Sequence, residues 1–278
     1  MYREFYGLKL KPFSKTPDPE FLYLGKQHRE ALARMEYALE EKDLFLLTGE
    51  IGTGKTTLTR KLMDSVDEKK YKFIVILNPR LSPSHFLKVI ARGLEVDKIP
   101  SSRSDLNEAI YEKLYELYEN GVTPVIIIDE AQLIPSKSTF DEIRLLTNFQ
   151  LDDENLLCLM LVAQPELNRR LKHPAYKPLV QRIGMRYHLG PLDFEETKNY
   201  IRFRVEKAGR KEPLFTEKAV ELIYHYSEGL PRVINNIASN ALLAGFGKEE
   251  DPVTESTILD VVEDLRLGRA WKTNSLGG

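Results

Sequence analysis

The stretch from Leu44 to Leu62, LFLLTGEIGTGKTTLTRKL, leaves this chain few folds to choose from. It reads as a short apolar strand, a glycine loop and the start of a helix. The loop is Gly49-Glu50-Ile51-Gly52-Thr53-Gly54-Lys55-Thr56, followed by Thr57, and it fits G-x-x-x-x-G-K-[ST] at every fixed position. Glycines let successive backbone N–H groups turn inward around phosphate oxygens, where a side chain would block the approach. The helix expected from about Gly54 points its positive end at the same anions. Lys55 is expected to neutralise the β- and γ-phosphates of a nucleotide, and the Thr56 hydroxyl to ligate Mg²⁺. The setting agrees with the motif. Leu44–Thr48 is apolar enough to be a buried strand, and Leu58, Leu62 and Val66 share one helical face.

A chain of 278 residues suits two domains. With 42% hydrophobic and 29% charged residues it can bury a sizeable core. The net charge of −2 supplies no global field for nucleic acid, although local patches are possible. Cys158 is the only cysteine, so no internal disulfide can form; within LLCLMLV it reads as a small buried hydrophobe. The start, MYREFYGLKLKPF, is not a signal peptide, and no run of about 18 apolar residues spans a membrane, so the expected location is cytoplasmic.

Residues 1–27 form a proline-broken lead-in with Pro12, Pro17 and Pro19 and many aromatics. It is either a strap over one edge of the core or a source of rings that wall an adenine pocket, with Phe13 and Tyr23 the better candidates. Helical spacing follows over Gln27–Leu39. Beyond the glycine loop, Lys72–Leu77 reads as a strand, Pro83–Leu94 as a helix, and Asp105–Tyr118 as a helix stopped at Gly121. Tyr111, Tyr115 and Tyr118 read as packing residues.

Val122–Ile128 is continuously apolar, as expected of a central parallel strand covered on both faces. It runs into Asp129-Glu130, about 75 residues beyond Lys55. Asp129 is expected to hold Mg²⁺, and Glu130 to orient and polarise the attacking water. Helical patterns cover Phe140–Gln150, Glu166–Leu171 and Tyr176–Ile183; strands are expected at Leu156–Val162 and Met185–Leu189. Gln164, at the tip of the first of these strands, falls where it can approach a γ-phosphate. After Pro191 only helices are legible: Phe194–Ala208, a helix capped by Thr216 running to Ser227, one opened by Pro231, and one from Glu255 to Leu267 capped by Thr254. The tail Arg269–Gly278 is polar and reads as disordered.

Together these features resemble an AAA+ ATPase: an α/β fold, with a P-loop parallel sheet sandwiched by helices and then an all-helical lid. The motifs FYGL-x4-PF-x3-PDPEFLYL, TGEIGTGKTTL, LVAQPEL, QRI-x2-RYHLGPL and GLPRVIN narrow the resemblance to the ExeA/GspA-type (general secretion pathway protein A) ATPases of type II secretion, from Met1 to about Leu267. The implied domains are 1–190 for nucleotide binding, with the strap 1–27, then a lid at 191–268 and the tail 269–278. The resemblance implies that Gln164 is sensor 1. It places Arg232 as sensor 2, reaching the γ-phosphate within its own subunit, and Arg182 as the arginine finger offered to a neighbour. Arg169, Arg170 and Arg186 are rivals for the finger. It implies ATP and Mg²⁺ as cofactors and a homo-oligomer, ring or filament, with ATP at subunit interfaces. Its partner would belong to a secretion apparatus. Relatives of this type continue into a membrane helix and a periplasmic region that residues 1–278 do not contain, which leaves a shortened form and a stand-alone relative both open.

The related ATPases found beside transposases supply a second expectation, an ATP-switched DNA-binding regulator of transposition target selection. Two basic clusters keep it open: Arg169, Arg170, Lys172, His173, Lys177, Arg182 and Arg186, and Arg202, Arg204, Lys207, Arg210 and Lys211. Such runs are also commonly solvated helix faces.

Overall fold

The computed structural model describes residues 1–14, 19–151 and 154–266. In chain order the elements are α1 (Tyr2–Phe5), a 3₁₀ turn (Pro19–Phe21), α2 (Lys26–Glu40), β1 (Leu44–Gly49), α3 (Lys55–Ser65), β2 (Tyr71–Ile76), α4 (Pro83–Gly93), α5 (Arg103–Glu119), β3 (Thr123–Ile128), a 3₁₀ turn (Ala131–Leu133) and α6 (Lys137–Leu146). There follow β4 (Gln150–Leu151), β5 (Glu154–Asn155), β6 (Cys158–Ala163), α7 (Glu166–Leu171), a 3₁₀ turn (Pro174–Tyr176), α8 (Lys177–Val180), β7 (Ile183–Leu189), α9 (Phe194–Lys207), α10 (Glu217–Ser227), α11 (Pro231–Gly247) and α12 (Glu255–Asp264).

The chain forms two compact units. One holds Gln27–Glu50 and Leu58–Leu189. Its centre is a five-stranded parallel sheet in the order β2-β3-β6-β1-β7. The three inner strands are continuously apolar because helices cover both faces. Every residue of β1 and β6 is buried, Cys158 included. The Cys158 thiol is pushed up by burial, so it behaves as the small hydrophobe its setting suggested. The register sets Ile128 of β3 beside Leu161 of β6, and Leu161 beside Leu46 of β1, so β6 and β1 run two and three residues past the end of β3.

The second unit comprises Met1–Lys26, Ile51–Thr57 and the chain from Gly190 on. Its core is built by α9 to α12 together with the lead-in: Tyr6, Leu8, Phe13 and Phe21 are buried with Leu192, Ile201, Phe215 and Ile237. The apolar residues of the lead-in explain this placement, since they fill the groove between helices that are amphipathic on that side. Arg204 fixes it. Its side chain is 7% exposed, donates to the Pro12 carbonyl and the Tyr200 hydroxyl, and stacks over Phe21.

Several local expectations shift. The helix expected over Phe140–Gln150 runs instead from Lys137 to Leu146, because Ser136 caps it from Thr139 N–H, and Gln150–Leu151 turns back on Glu154–Asn155 as a short hairpin. Thr216 caps α10 by accepting from Ala219 N–H. Thr254 does not cap α12 with its side chain; its hydroxyl donates to Glu250 instead. Of the three tyrosines on α5, Tyr111 packs on Phe149, whereas Tyr115 and Tyr118 are exposed. Pro17 and the tail from Leu267 lie outside the described residues. Among the described residues no helix is long and apolar enough to cross a membrane.

Candidate nucleotide site

In a parallel sheet the loops that follow the carboxyl ends of the strands are where ligands are met. Here those ends bring the acidic motif and Gln164 together. Asp129 follows β3 and is buried at 8% exposure; its Oδ1 accepts from the Glu130 N–H at 2.8 Å. Glu130 has a left-handed backbone, φ 52°, which turns its side chain toward the tip of β6. There the Gln164 Nε2 donates to Glu130 Oε2 at 2.9 Å. Gln132 joins the pair: its Nε2 donates to the same oxygen, and its Oε1 accepts from the Gln164 N–H at 3.0 Å. Next along the sheet, Thr48 at the end of β1 accepts from Asn168 Nδ2 at 3.1 Å and lies 3.1 Å from His188 Nδ1. Gln132, Asn168 and His188 had no place in the reading of the sequence. For Gln132 the signal was its position two residues after Glu130; for the other two, sequence spacing carried none.

The glycine loop leaves β1 through Gly49 and the exposed Glu50. Within Ile51–Thr57, Gly52 and Gly54 have φ of +87° and +101°, conformations that other residues rarely adopt. Thr53 and Lys55 are buried, Ile51 is 54% exposed, and α3 starts at Lys55, so its first N–H groups belong to the loop. Arg232, at the start of α11, meets the loop directly. Its N–H donates to the Gly52 carbonyl at 3.2 Å, and a Cβ on Gly52 would sit 2.5 Å from Arg232 Cβ. The sensor-2 candidate and the loop are therefore neighbours.

The other expected site residues fall as follows. Phe13 is 3% exposed and packs edge-on against Phe215; Tyr23 is half-buried against Tyr200 and Phe203. Arg182 is exposed and precedes β7, at the amino end of the sheet. Arg169 pairs with Glu166 on the surface. Arg170 is held by Tyr176 and the Ile134 carbonyl and stacks on Phe140. Arg186 donates to the Val180 carbonyl.

A glycine cradle at positive φ, a buried lysine and a helix N-terminus are a fit for a polyphosphate. Within the loop, Thr56 carries a hydroxyl oxygen, and at the end of β3 Asp129 carries a carboxylate; each is a hard donor of the kind Mg²⁺ takes.

Comparison with known proteins agrees with this architecture. Residues 38–171 match the AAA domain family. The fold is AAA+. The chain is 38% identical over 262 residues to general secretion pathway protein A of Aeromonas hydrophila, covering 93% of this chain and 47% of the relative. It thus spans about half the length of that curated relative. Among solved structures the AAA+ fold is shared with the Aeropyrum pernix ORC2 protein in its ADPNP-ADP complexes, at a TM-score of 0.68 and 20% identity, over 92% of this chain and 71% of that one. It is shared also with Drosophila ORC bound to DNA, at a TM-score of 0.68 and 14% identity, over 95% of this chain and 65% of that one.

Proposed function

We propose that the chain binds Mg-ATP and hydrolyses it to ADP and phosphate, and that turnover drives assembly or remodelling of a partner complex related to type II secretion. The observation that carries this reading is the contact between Glu130 and Gln164 at neighbouring strand tips, in a chain whose glycine loop adopts a backbone built for phosphate.

Each group then has a task. The loop from Gly49 to Thr57 and Lys55 hold the phosphates. Thr56 and Asp129 would hold Mg²⁺, which when bound supplies positive charge to the phosphate oxygens. Glu130 orients a water in line with the γ-phosphate and takes its proton. Gln164 and Arg232 donate to the γ-phosphate oxygens as charge builds there. Tyr23, half-buried, and Phe13 are the rings assigned to the base.

Arg182 is assigned to a neighbouring subunit, and the sheet supports that. From the start of β7 to the tip of β3 is about 7 Å along the strands and about 14 Å across them, roughly 16 Å in all. A side chain cannot cover that distance to Glu130 of its own chain. The partner is accordingly a second copy, with ATP at the interface between copies. An arginine supplied this way is typically worth about 10³–10⁵ in rate. Specific activity should rise with protein concentration through the range where copies assemble, and specific activity that stays flat there excludes the assignment. Glu130→Gln should bind ATP and fail to turn it over, and Lys55→Ala should lose binding. Normal turnover by Glu130→Gln would overturn the catalytic assignment.

DNA binding, as in transposition target selection, is the second reading, and one surface favours it. Lys172, His173, Lys177 and Arg186 line an open concavity of about 680 Å³ between α7, α8 and β7. In the other basic cluster Lys207 and Lys211 are exposed, but the arginines are engaged within the fold. Arg204 is buried, Arg210 is paired with Asp251, and Arg202 with Glu206.

A further inference from the structure

β7 does not pair evenly with β1. Leu44 stands opposite Ile183, but Phe45 stands opposite Met185, so Gly184 is an extra residue and the strand bulges there. The space beside Gly184 is taken by Asp43. A Cβ at position 184 would lie 1.7 Å from Asp43 Oδ2 and 2.4 Å from its Cγ. Asp43 is held from several sides. Its Oδ1 accepts from the Leu44 N–H at 2.8 Å, its own N–H donates to the Ala38 carbonyl at 2.9 Å, and its carbonyl accepts from the Leu159 N–H at 3.2 Å. Only a residue without a side chain lets β7 keep this path past the carboxylate.

The bulge lies two residues after Arg182. On its other side the arginine is tied to α8, where its N–H donates to the carbonyl of the buried Leu179 at 2.9 Å. Arg182 and Asp43 line one recess of about 60 Å³. Without the extra residue, pairing continued back from Phe45 and Met185 would set Ile183 opposite Asp43 instead of Leu44. That is a slip of about 3.3 Å, and it would turn Ile183 out of the core it shares with Leu44. Arg182 would be carried with it. We propose that Gly184 is a positioning residue: the bulge it permits, seated on the Asp43 carboxylate, sets the place from which Arg182 is presented to the neighbouring copy. This rests on the role given to Arg182 above.

Three variants of the full chain test it: Gly184→Ala, Asp43→Ala/Gly184→Ala and Arg182→Ala. Turnover is measured for each alone and after mixing with an equal amount of Glu130→Gln, whose Arg182 is undisturbed. Ordinary contact begins near 3.4 Å, so the methyl of Gly184→Ala needs about 1.7 Å more room. A misplacement of about 1 Å can cost about a hundredfold in rate. Gly184→Ala should therefore bind ATP as the wild type does by calorimetry, and turn it over about a hundredfold more slowly. Mixing should raise its rate to about half the wild-type value per intact nucleotide site, since half the neighbours then offer an undisturbed arginine. A purely structural lesion would not be repaired by a neighbour. Asp43→Ala/Gly184→Ala vacates the space the methyl needs, and its turnover should lie within about tenfold of the wild type. Wild-type turnover by Gly184→Ala, or a loss that mixing leaves in place while Arg182→Ala is slowed and repaired, overturns the proposal. So does a double variant that folds but falls below that range, whether or not Gly184→Ala itself folds. Arg182→Ala with wild-type turnover, or with a loss that mixing does not repair, overturns the assignment of the arginine and the proposal with it.

Discussion

Gly52→Ala concentrates the geometry of the loop in one methyl group. At φ +87° an alanine is strained by about 1–2 kcal/mol. Its Cβ would lie 2.5 Å from Arg232 Cβ, which is anchored to the start of α11 and cannot swing away as a side-chain tip can. Overpacking of this kind typically costs about 1–3 kcal/mol. Separating the two also weakens the bond from Arg232 N–H to the Gly52 carbonyl, worth about 1 kcal/mol. The sum is about 4 kcal/mol, and at about 2–4 °C per kcal/mol the melting temperature should fall by about 8–16 °C. Nucleotide affinity should fall by about a hundredfold or more, because the N–H groups of the loop no longer converge. Thermal melts and calorimetric ATP titration read the two effects. Gly247→Ala is the control: its Cβ would meet nothing within 4 Å, so it should be neutral or slightly stabilising. A Gly52→Ala protein that melts with the wild type and binds ATP equally well would refute the account of the loop.

Glu142 on α6 is 1% exposed and paired with Arg103, and burial pushes its carboxyl above the usual range while Arg103 pulls it back. The folded form therefore takes up a proton more readily than the unfolded chain, so its contribution is most favourable below the ordinary carboxylate value and is lost as pH rises through the raised one. Glu142→Gln should raise the melting temperature at pH 7, with the gain vanishing near pH 4; a lower melting temperature at pH 7 would contradict this. Arg204→Ala should cost about 2–4 kcal/mol by urea unfolding, since it removes the hydrogen bond to Pro12 and the ring contact with Phe21 that hold the lead-in, together with the bond to the Tyr200 hydroxyl. It should leave any DNA binding unchanged, whereas Lys172→Ala and Lys177→Ala should each lower the salt slope of such binding by about 1. DNA binding that weakened only in Arg204→Ala would reverse the roles of the two clusters.

The sheet was legible in the sequence because its inner strands are buried on both faces, which makes Leu44–Thr48 and Val122–Ile128 unbroken apolar runs. The phosphate loop was legible because its chemistry dictates residue types at fixed spacing. Other features depend on partners distant in the chain. Nothing near Arg204 in sequence announces that Pro12, Phe21 and Tyr200 enclose it, so it read as surface charge. The 150–155 hairpin is too short to show alternation. Gln132 reaches Gln164 across 32 positions, and only the neighbouring of β3 and β6 makes them partners.

The location of Arg182, a sheet's length away from Glu130, has a consequence for symmetry. If this residue completes a neighbour's chemistry, two kinds of symmetry satisfy it. In a two-fold dimer one face must carry both the arginine and the nucleotide site, so that the two copies exchange cations reciprocally. In head-to-tail association the two lie on unlike faces, and the copies close into a circle or extend as an open helical polymer. In such an open polymer the end subunit is silent, and activity per subunit grows with length.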